Sequence, residues 1–382
     1  MPTRGALSGI TVLDLSRLLP GPYCSMILAD HGARVIAIED KRFLSDGLFL
    51  APVNRNKEHM TLNLKTAEGR EIFTCLVRTA DVVLEGFRPG VVERLRVDYH
   101  TLKEVKPDII YCSISGYGQN GPYRNRVGHD VNYLANSGVL DLIGEPDHPP
   151  VIPGVQIADI AAGGMNAAIG ILLALYAREK TGKGQYIDIS MTDGMLGFHA
   201  TVLFFHQLTG QVAKRSEGFF SHRYACYNTY ETADGRYMSI GAVEHRFWQK
   251  FCDILDLPQY AGLQYDENRR REIIDRIRAI FKQKTSAEWE ALFAEEDICW
   301  GRVQTLTEVL TDPLFREREM VVDLRQRDGQ TVKALGVPVK LSETPGAIRS
   351  PPPDFGGDTA AILGALGYSE EEIARLVEQE VI

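Results

Sequence analysis

The sequence predicts an α/β protein: a large Rossmann-like domain built on a parallel sheet, followed by a smaller α+β domain. Three observations predict it. Short apolar runs alternate with helical patterns over the first 130 residues, and strand–helix alternation implies a parallel sheet covered on both faces. A charge-free stretch, Ile160–Ala177, has the length of a core helix. Beyond a polar stretch at 211–221, the pattern changes to a hairpin followed by amphipathic helices.

Each element has a local cause. Ile10–Asp14 reads as a buried strand, and Pro20-Gly21-Pro22 opens a helix to about Asp30, with Pro22 suited to the first helical position. Val35–Ile38, Met60–Leu64, Val82–Leu84 and Ile109–Ser113 read as strands, with helices at about 68–78 and 90–95 between them. The turn after the first strand, Ser16–Pro22, lacks the G-x-G-x-x-G pattern, which disfavours a dinucleotide cofactor. Thr181–Gly184 is a turn, Tyr186–Ser190 a strand and Met191–Thr209 a helix. Asp234-Gly235 between Tyr227–Glu231 and Tyr237–Gly241 marks a hairpin. Helices follow at about 247–255, 269–282 and 286–294. Pro351–Pro353 is an extended linker, Thr359–Leu366 is helical, and Ser369 with Glu372 forms a capping box for a last helix. The expected division is 1–215 for the large domain, 222–330 for the small one, and 331–382 returning to the large one.

Composition narrows the function. With 382 residues, 44% of them hydrophobic, the chain is long enough to bury a full core without disulfides or a structural metal. The net charge of −9 argues against nucleic acid as a partner, and an anionic ligand would need a local basic pocket. Six scattered cysteines without a C-x-x-C pair point to a reducing compartment such as the cytoplasm and to no metal site. Met1–Gly9 has no apolar signal core. The 18 residues of Ile160–Ala177 are at the lower bound for a membrane span, yet the expected setting is a helix buried in a large core, not a membrane.

Three residues could carry chemistry. His129, in Gly128-His129-Asp130, stands in a turn entering a helix; it could reach a cleft, or be a packed histidine with Asp130 as the cap. Asp159 lies at the start of the apolar helix. It could be a plain cap, or it could work beside free N–H groups that stabilise an oxyanion, with Ala161–Gly164 letting a ligand approach. Glu244 follows an apolar strand where a helix begins, and could equally be a surface or capping residue.

Together these residues form a recognisable set. The chain resembles the class III CoA-transferase (CaiB/BaiF) superfamily, most closely its alpha-methylacyl-CoA racemase branch. The resemblance runs from Leu7–Asp14 and Pro20–Pro22 through Ala29–Ala33, Asn54–Lys57, Leu62–Lys65, Glu85–Gly90, Ser115–Gly118 and Gly182–Gln185 to Gly367–Glu370. It implies that His129 and Asp159 are the two acid/bases flanking the substrate and that Glu244 supports the histidine. It also implies that Lys65, Arg88 and Arg94 bind the CoA phosphates, while Leu18, Leu62, Phe87 and Tyr133 line the CoA site. Relatives often carry a basic residue directly after the second strand's glutamate; here Asp40 stands there, and Lys41 is expected to compensate. Leu19 and Gly241–Glu244 replace a glutamine and a glycine-rich loop of the formyl-CoA-type transferases, which favours the racemase.

The resemblance thus implies a racemase of 2-methylacyl-CoA thioesters acting by 1,1-proton transfer through an enolate, with no cofactor beyond the CoA of the substrate. It also implies an interlocked homodimer with its active site at the subunit interface. Asp159-Ile-Ala-Ala-Gly163 is less glycine-rich than in racemases. That keeps open a CoA-transferase using Asp159 as an acyl-accepting nucleophile. A CoA-binding protein without activity is a third reading, which the retained acid–base residues oppose.

Overall fold

The computed structural model describes residues 5–212 and 214–382. The reading of Met1–Gly9 therefore falls partly outside the described residues, as does Ala213 in the stretch expected to separate the domains. The chain forms two compact units. The large one comprises Met1–Val139, Pro153–Phe198 and Leu310–Ile382; the small one comprises Leu140–Ile152 and His199–Val309.

The large unit begins with β1 (Thr11–Asp14), α1 (Pro20–Asp30), β2 (Arg34–Glu39), β3 (Lys57–Thr61), α2 (Ala67–Val77) and β4 (Val82–Glu85). It continues through α3 (Val91–Leu95), α4 (Tyr99–Val105), β5 (Ile110–Ser115) and α5 (Asp130–Asn136). A π-helical segment, Ala158–Met165, then runs into α6 (Asn166–Thr181), followed by β6 (Tyr186–Ser190) and α7 (Met191–Leu196). The six strands make one sheet in the order β3-β2-β1-β4-β5-β6, parallel throughout. β4 and β5 are buried along their whole length, as a doubly covered sheet requires. Leu13, Ile36, Met60, Phe73, Val83 and Tyr111 fill the core beneath α2 and α4.

The small unit contains α8 (Ala200–Thr209), a three-stranded antiparallel sheet and four further helices. The sheet is β7 (Tyr227–Glu231), β8 (Tyr237–Gly241) and β9 (Trp300–Arg302). The helices are α9 (His245–Ile254), α10 (Arg270–Phe281), α11 (Ser286–Phe293) and α12 (Leu306–Val309). Its core is aromatic: Tyr230, Trp248, Phe251, Phe281, Trp289 and Phe293 are buried together. The chain then returns to the large unit with α13 (Pro313–Glu317), the hairpin β10 (Val321–Arg325) and β11 (Thr331–Leu335), α14 (Thr359–Ala365) and α15 (Glu370–Glu378). Ser369 and Glu372 form the expected capping box on α15. Val381 and Ile382 join the large core, and the Asn63 N–H donates to the Val381 carbonyl at 2.8 Å.

Several expectations need correction. The divisions fall at 198/199 and 309/310 rather than at 215 and 330, and 140–152 leaves the large unit. Two arginines explain this. Arg215 donates to the Asp141 carboxylate at 2.9 Å and to the Asp141 carbonyl at 2.8 Å, binding 140–152 to the small unit. Arg55, in a buried pair with Asp30 at 2.7 Å, donates to the Leu335 and Gly336 carbonyls and ties the hairpin to the large unit. The third strand is Lys57–Thr61, not Met60–Leu64, because Lys57 already registers with Val35 and the pairing closes with the Leu62 N–H on the Glu39 carbonyl, after which the chain leaves the sheet. Pro20, not Pro22, opens α1. Met191–Thr209 is broken at Gly197–His199.

The apolar helix is not buried all round. Ala158–Thr181 is long and apolar enough to cross a bilayer by length and composition. Ala162, Ala167, Ala168, Ile171 and Ala174 pack inward, but Ile169, Leu173 and Tyr176 are 54%, 65% and 67% exposed.

Candidate active site

In an open parallel sheet, ligands bind beyond the carboxyl ends of the strands where the strand order reverses. Here that point lies between β1 and β4. The loops that follow β1, β4 and β5 meet there, and each is fixed by its own sequence.

The loop after β1 is held by Asp14. Its carboxylate accepts from the Ser16 N–H at 2.9 Å and from the Ser16 and Ser25 hydroxyls. Lys57 Nζ lies 3.8 Å from it and donates to the Pro22 carbonyl at 2.9 Å; burial pulls this ammonium down to about 8. The loop so pinned carries Leu18 with φ at 66°, a left-handed conformation unusual for a leucine, and with a side chain 37% exposed. The loop after β4 is held by Glu85, buried at the strand end. Its carboxylate accepts from the Phe87 N–H at 2.7 Å, and burial pushes it up to about 7.

The loop after β5 leads to His129. Tyr133 on α5 is buried, its hydroxyl donating to the Gly128 carbonyl at 2.5 Å. Its ring lies where a side chain on Gly116 would stand, so only glycine fits there. The His129 N–H donates to Asn132 Oδ1 at 3.0 Å and the imidazole is exposed. The next residue, Asp130, is buried and accepts from the Asp159 N–H at 3.0 Å, linking the two candidate acid/bases through adjacent backbone. Asp130 therefore ties two elements together rather than serving as a simple helix cap.

Asp159 lies in the first turn of the π-helical segment, whose cap position is Ile157. Its carboxyl is not at the cap position, and as an acid in the first turn it lies at the positive end of the helix dipole. Burial, and then the Asp130 charge, push it up to about 6, with His129 pulling the other way. Burial, followed by Asp159, also holds the Tyr133 hydroxyl well above the usual range, opposed by Arg88. Arg88, Tyr133, Asp159 and His129 therefore share one electrostatic neighbourhood. The small residues after Asp159 have a different purpose from the one expected. Side chains on Gly163 or Gly164 would strike Pro20, Tyr23 or Met191, so these glycines allow close packing on α1 and α7 rather than close approach of a ligand.

Below the same crevice is a narrow cavity of about 50 Å³, lined by Leu62, Lys65 and Phe87 among the expected residues. Lys65, Arg88 and Arg94 are exposed and in no ion pair among the described residues. Lys41 does not line this cavity; it faces a separate hollow of about 310 Å³ with Thr61, Phe355 and Thr359. Arg42 and Arg17 stand on the cavity wall beside Lys65. Sequence reasoning missed Arg17, although it stands in the turn where a phosphate-binding loop was sought. It also missed Glu85, whose burial is invisible in a charged residue's identity.

Glu244 belongs to the small unit and is described there. It occupies the cap position of α9, is exposed, and makes no capping bond with its side chain. Its turn is pinned from below: Gln264 Nε2 donates to the Ala242 and Val243 carbonyls at 3.0 and 2.7 Å, and the Tyr265 hydroxyl to Val243 at 2.6 Å. Three residues before it, Gly241 lines a cavity of about 430 Å³ with Phe220, His222, Tyr227, Cys299 and Trp300. Among the described residues, no cluster of side chains could hold a metal ion.

The family model for CoA-transferase family III matches residues 7–359. The chain is 35% identical over 382 residues to alpha-methylacyl-CoA racemase of Homo sapiens, covering 99% of this chain and 97% of the relative. It is 32% identical over 395 residues to succinyl-CoA–D-citramalate CoA-transferase of Chloroflexus aurantiacus, covering 98% of each. A crystal structure of a CAIB/BAIF family protein from Brucella suis superposes with a TM-score of 0.83 at 31% identity, over 95% of this chain and 100% of that one. On these matches, the chain belongs to CoA-transferase family III.

Proposed function

We propose that the protein is a racemase of 2-methylacyl-CoA thioesters that works by 1,1-proton transfer. The observation that supports it best is the pairing of Asp159 with His129 through Asp130, with the Asp159 carboxyl raised to about 6. A carboxyl in that range both accepts and returns a proton near neutral pH. His129, oriented by Glu244, takes the α-proton from one face of the thioester, and Asp159 delivers a proton to the other. The positive end of the dipole of the Ala158–Met165 segment stabilises the enolate oxygen. Lys65, Arg88 and Arg94 supply the charge for the CoA phosphates in a chain that is acidic as a whole.

The test is deuterium uptake at the α-carbon of a 2-methylacyl-CoA in heavy water, following each enantiomer. Wild type exchanges and racemises; His129→Ala and Asp159→Asn each lose exchange from one enantiomer by about 10²- to 10⁴-fold. A transferase would instead move CoA from thioester to a free carboxylate, with Asp159 as the covalent acyl carrier. Carboxylate–thioester exchange without α-deuteration would establish that reading and end the racemase one.

The exposed apolar side chains of Ile169, Leu172, Leu173 and Tyr176, spaced along one face of α6, support a homodimer through that helix. Light scattering is expected to give a dimer for wild type and a lower mass for Leu173→Glu. An unchanged mass for the variant removes this stripe from the interface.

A further inference from the structure

One buried charge near the site has no part in the proton transfer itself. Lys57 begins β3, and its side chain is entirely buried. An ammonium taken out of water costs free energy that pairing often fails to return. A buried lysine at a strand start therefore points to the geometry it enforces. Nζ donates to the Pro22 carbonyl on α1 at 2.9 Å and to Asn54 Oδ1 at 3.1 Å, and it stands 3.8 Å from the Asp14 carboxylate at the end of β1. The Ser25 hydroxyl reaches the same Pro22 carbonyl only at 3.3 Å.

The partner on α1 matters most. A helix start is ordinarily anchored by a capping side chain and by its free N–H groups. In α1 both anchors are weakened: Leu19 at the cap position makes no side-chain bond, and Pro20 and Pro22 carry no N–H. Lys57 takes hold of this turn by a carbonyl instead. The turn then supports the segment that carries Asp159. A side chain on Gly163 would stand 2.8 Å from Pro20 Cβ, and one on Gly164 would stand 2.9 Å from the Pro20 carbonyl oxygen and from the Tyr23 ring. The Asp159 segment thus lies directly on the Pro20–Pro22 turn, about one helical turn beyond Asp159. His129 has supports of its own, Asn132 at its N–H and Tyr133 at the Gly128 carbonyl.

We propose that Lys57 is a positioning residue: it fixes the Pro20–Pro22 turn and so sets where the Asp159 carboxyl stands. This rests on the racemase reading above. The role predicts an asymmetry. Losing the hold displaces one of the two acid/bases, so proton removal suffers where Asp159 is the base and is spared where His129 is. A displacement of about 1 Å can cost about 10²-fold in rate.

The test is α-proton exchange in heavy water from each enantiomer of a 2-methylacyl-CoA, with kcat and KM determined separately. Asp159→Asn identifies the enantiomer that Asp159 deprotonates. Lys57→Met is expected to lower kcat for that enantiomer about 10- to 100-fold and for the other by less than about threefold, with KM unchanged within about twofold. Gly164→Ala pushes the segment off the same turn and is expected to give the same pattern. The double variant should be no slower than the slower single one, as for residues acting through one another. If Lys57→Met does not fold, Asn54→Ala, which removes one acceptor and keeps the lysine, is expected to slow the same enantiomer by about two- to fivefold. Equal loss from both enantiomers, no loss from either, a rise in KM with kcat unchanged, or multiplied losses in the double variant overturn the role of Lys57 while the racemase reading stands. A wild-type chain that exchanges neither enantiomer overturns both.

Discussion

The turn that carries Asp159 and the turn that carries Glu244 solve opposite problems. Asp159 is half-buried among its own kind, with Asp130 beside it and its carboxyl raised to about 6. Glu244 stands exposed at a helix start, with Gln264 and Tyr265 clamping the carbonyls below it and nothing of its own helix using the carboxylate. One acid is tuned by its surroundings; the other is only placed. The difference teaches that a shifted carboxyl costs the fold free energy, whereas an aimed one costs almost nothing.

That contrast can be broken most directly by exchanging each carboxyl for its amide. Both Asp159→Asn and Glu244→Gln are expected to cut α-proton exchange, Glu244→Gln by about 10²- to 10³-fold. Their stabilities should part company. A carboxyl whose folded pKa is raised contributes stability only at low pH and loses it as pH rises from 3.8 through 6. Asp159→Asn should therefore be more stable than wild type by about 1–2 kcal/mol at pH 8, allowing for partial exposure, and by almost nothing at pH 4. Glu244→Gln should melt with wild type at both values. Equal melting of the two variants at pH 8 would remove the distinction. A finer test is Asp130→Asn, which keeps an acceptor for the Asp159 N–H but removes the charge that raises its carboxyl. The acid limb of the exchange rate should move down by a few tenths of a pH unit, measured in the direction where Asp159 is the base. A limb that stays in place would assign the whole shift to burial.

The sequence made the sheet legible because buried parallel strands are short, apolar and bounded by turns. Tyr186–Ser190, Tyr227–Glu231 and Tyr237–Gly241 lie where their patterns put them. It misled at Met60–Leu64, because Leu62 and Leu64 are apolar for the core's sake and not for the ladder's. β9, with three residues, is too short to carry a period, and α4 went unseen although Asp98 caps it. At the site, His129, Asp159 and Glu244 were legible as residue types in turns. The supports were not: Asp130, Glu85 and Gln264 act through burial and backbone partners, which no local pattern encodes. Lys41 is the nearest cation in sequence to the expected basic position, whereas the tight turn at 41–46 sends Lys41 and Leu44 to one hollow and Arg42 and Phe43 to the other.

The large unit is discontinuous, and this has a consequence for how it is made. β3 is an outer strand of the sheet, and its neighbours arrive late: the His59 N–H meets Asp358, Thr61 meets Thr359, and Asn63 meets Val381, at separations of about 300 residues. During synthesis the small unit, nearly continuous from His199 to Val309, emerges and folds while β3 still has an open edge above an uncovered Met60. Such an edge is a template for another nascent chain. The interval between translating residue 61 and residue 381 is thus the period in which this protein is most exposed to aggregation, and in which a chaperone would have the most to shield.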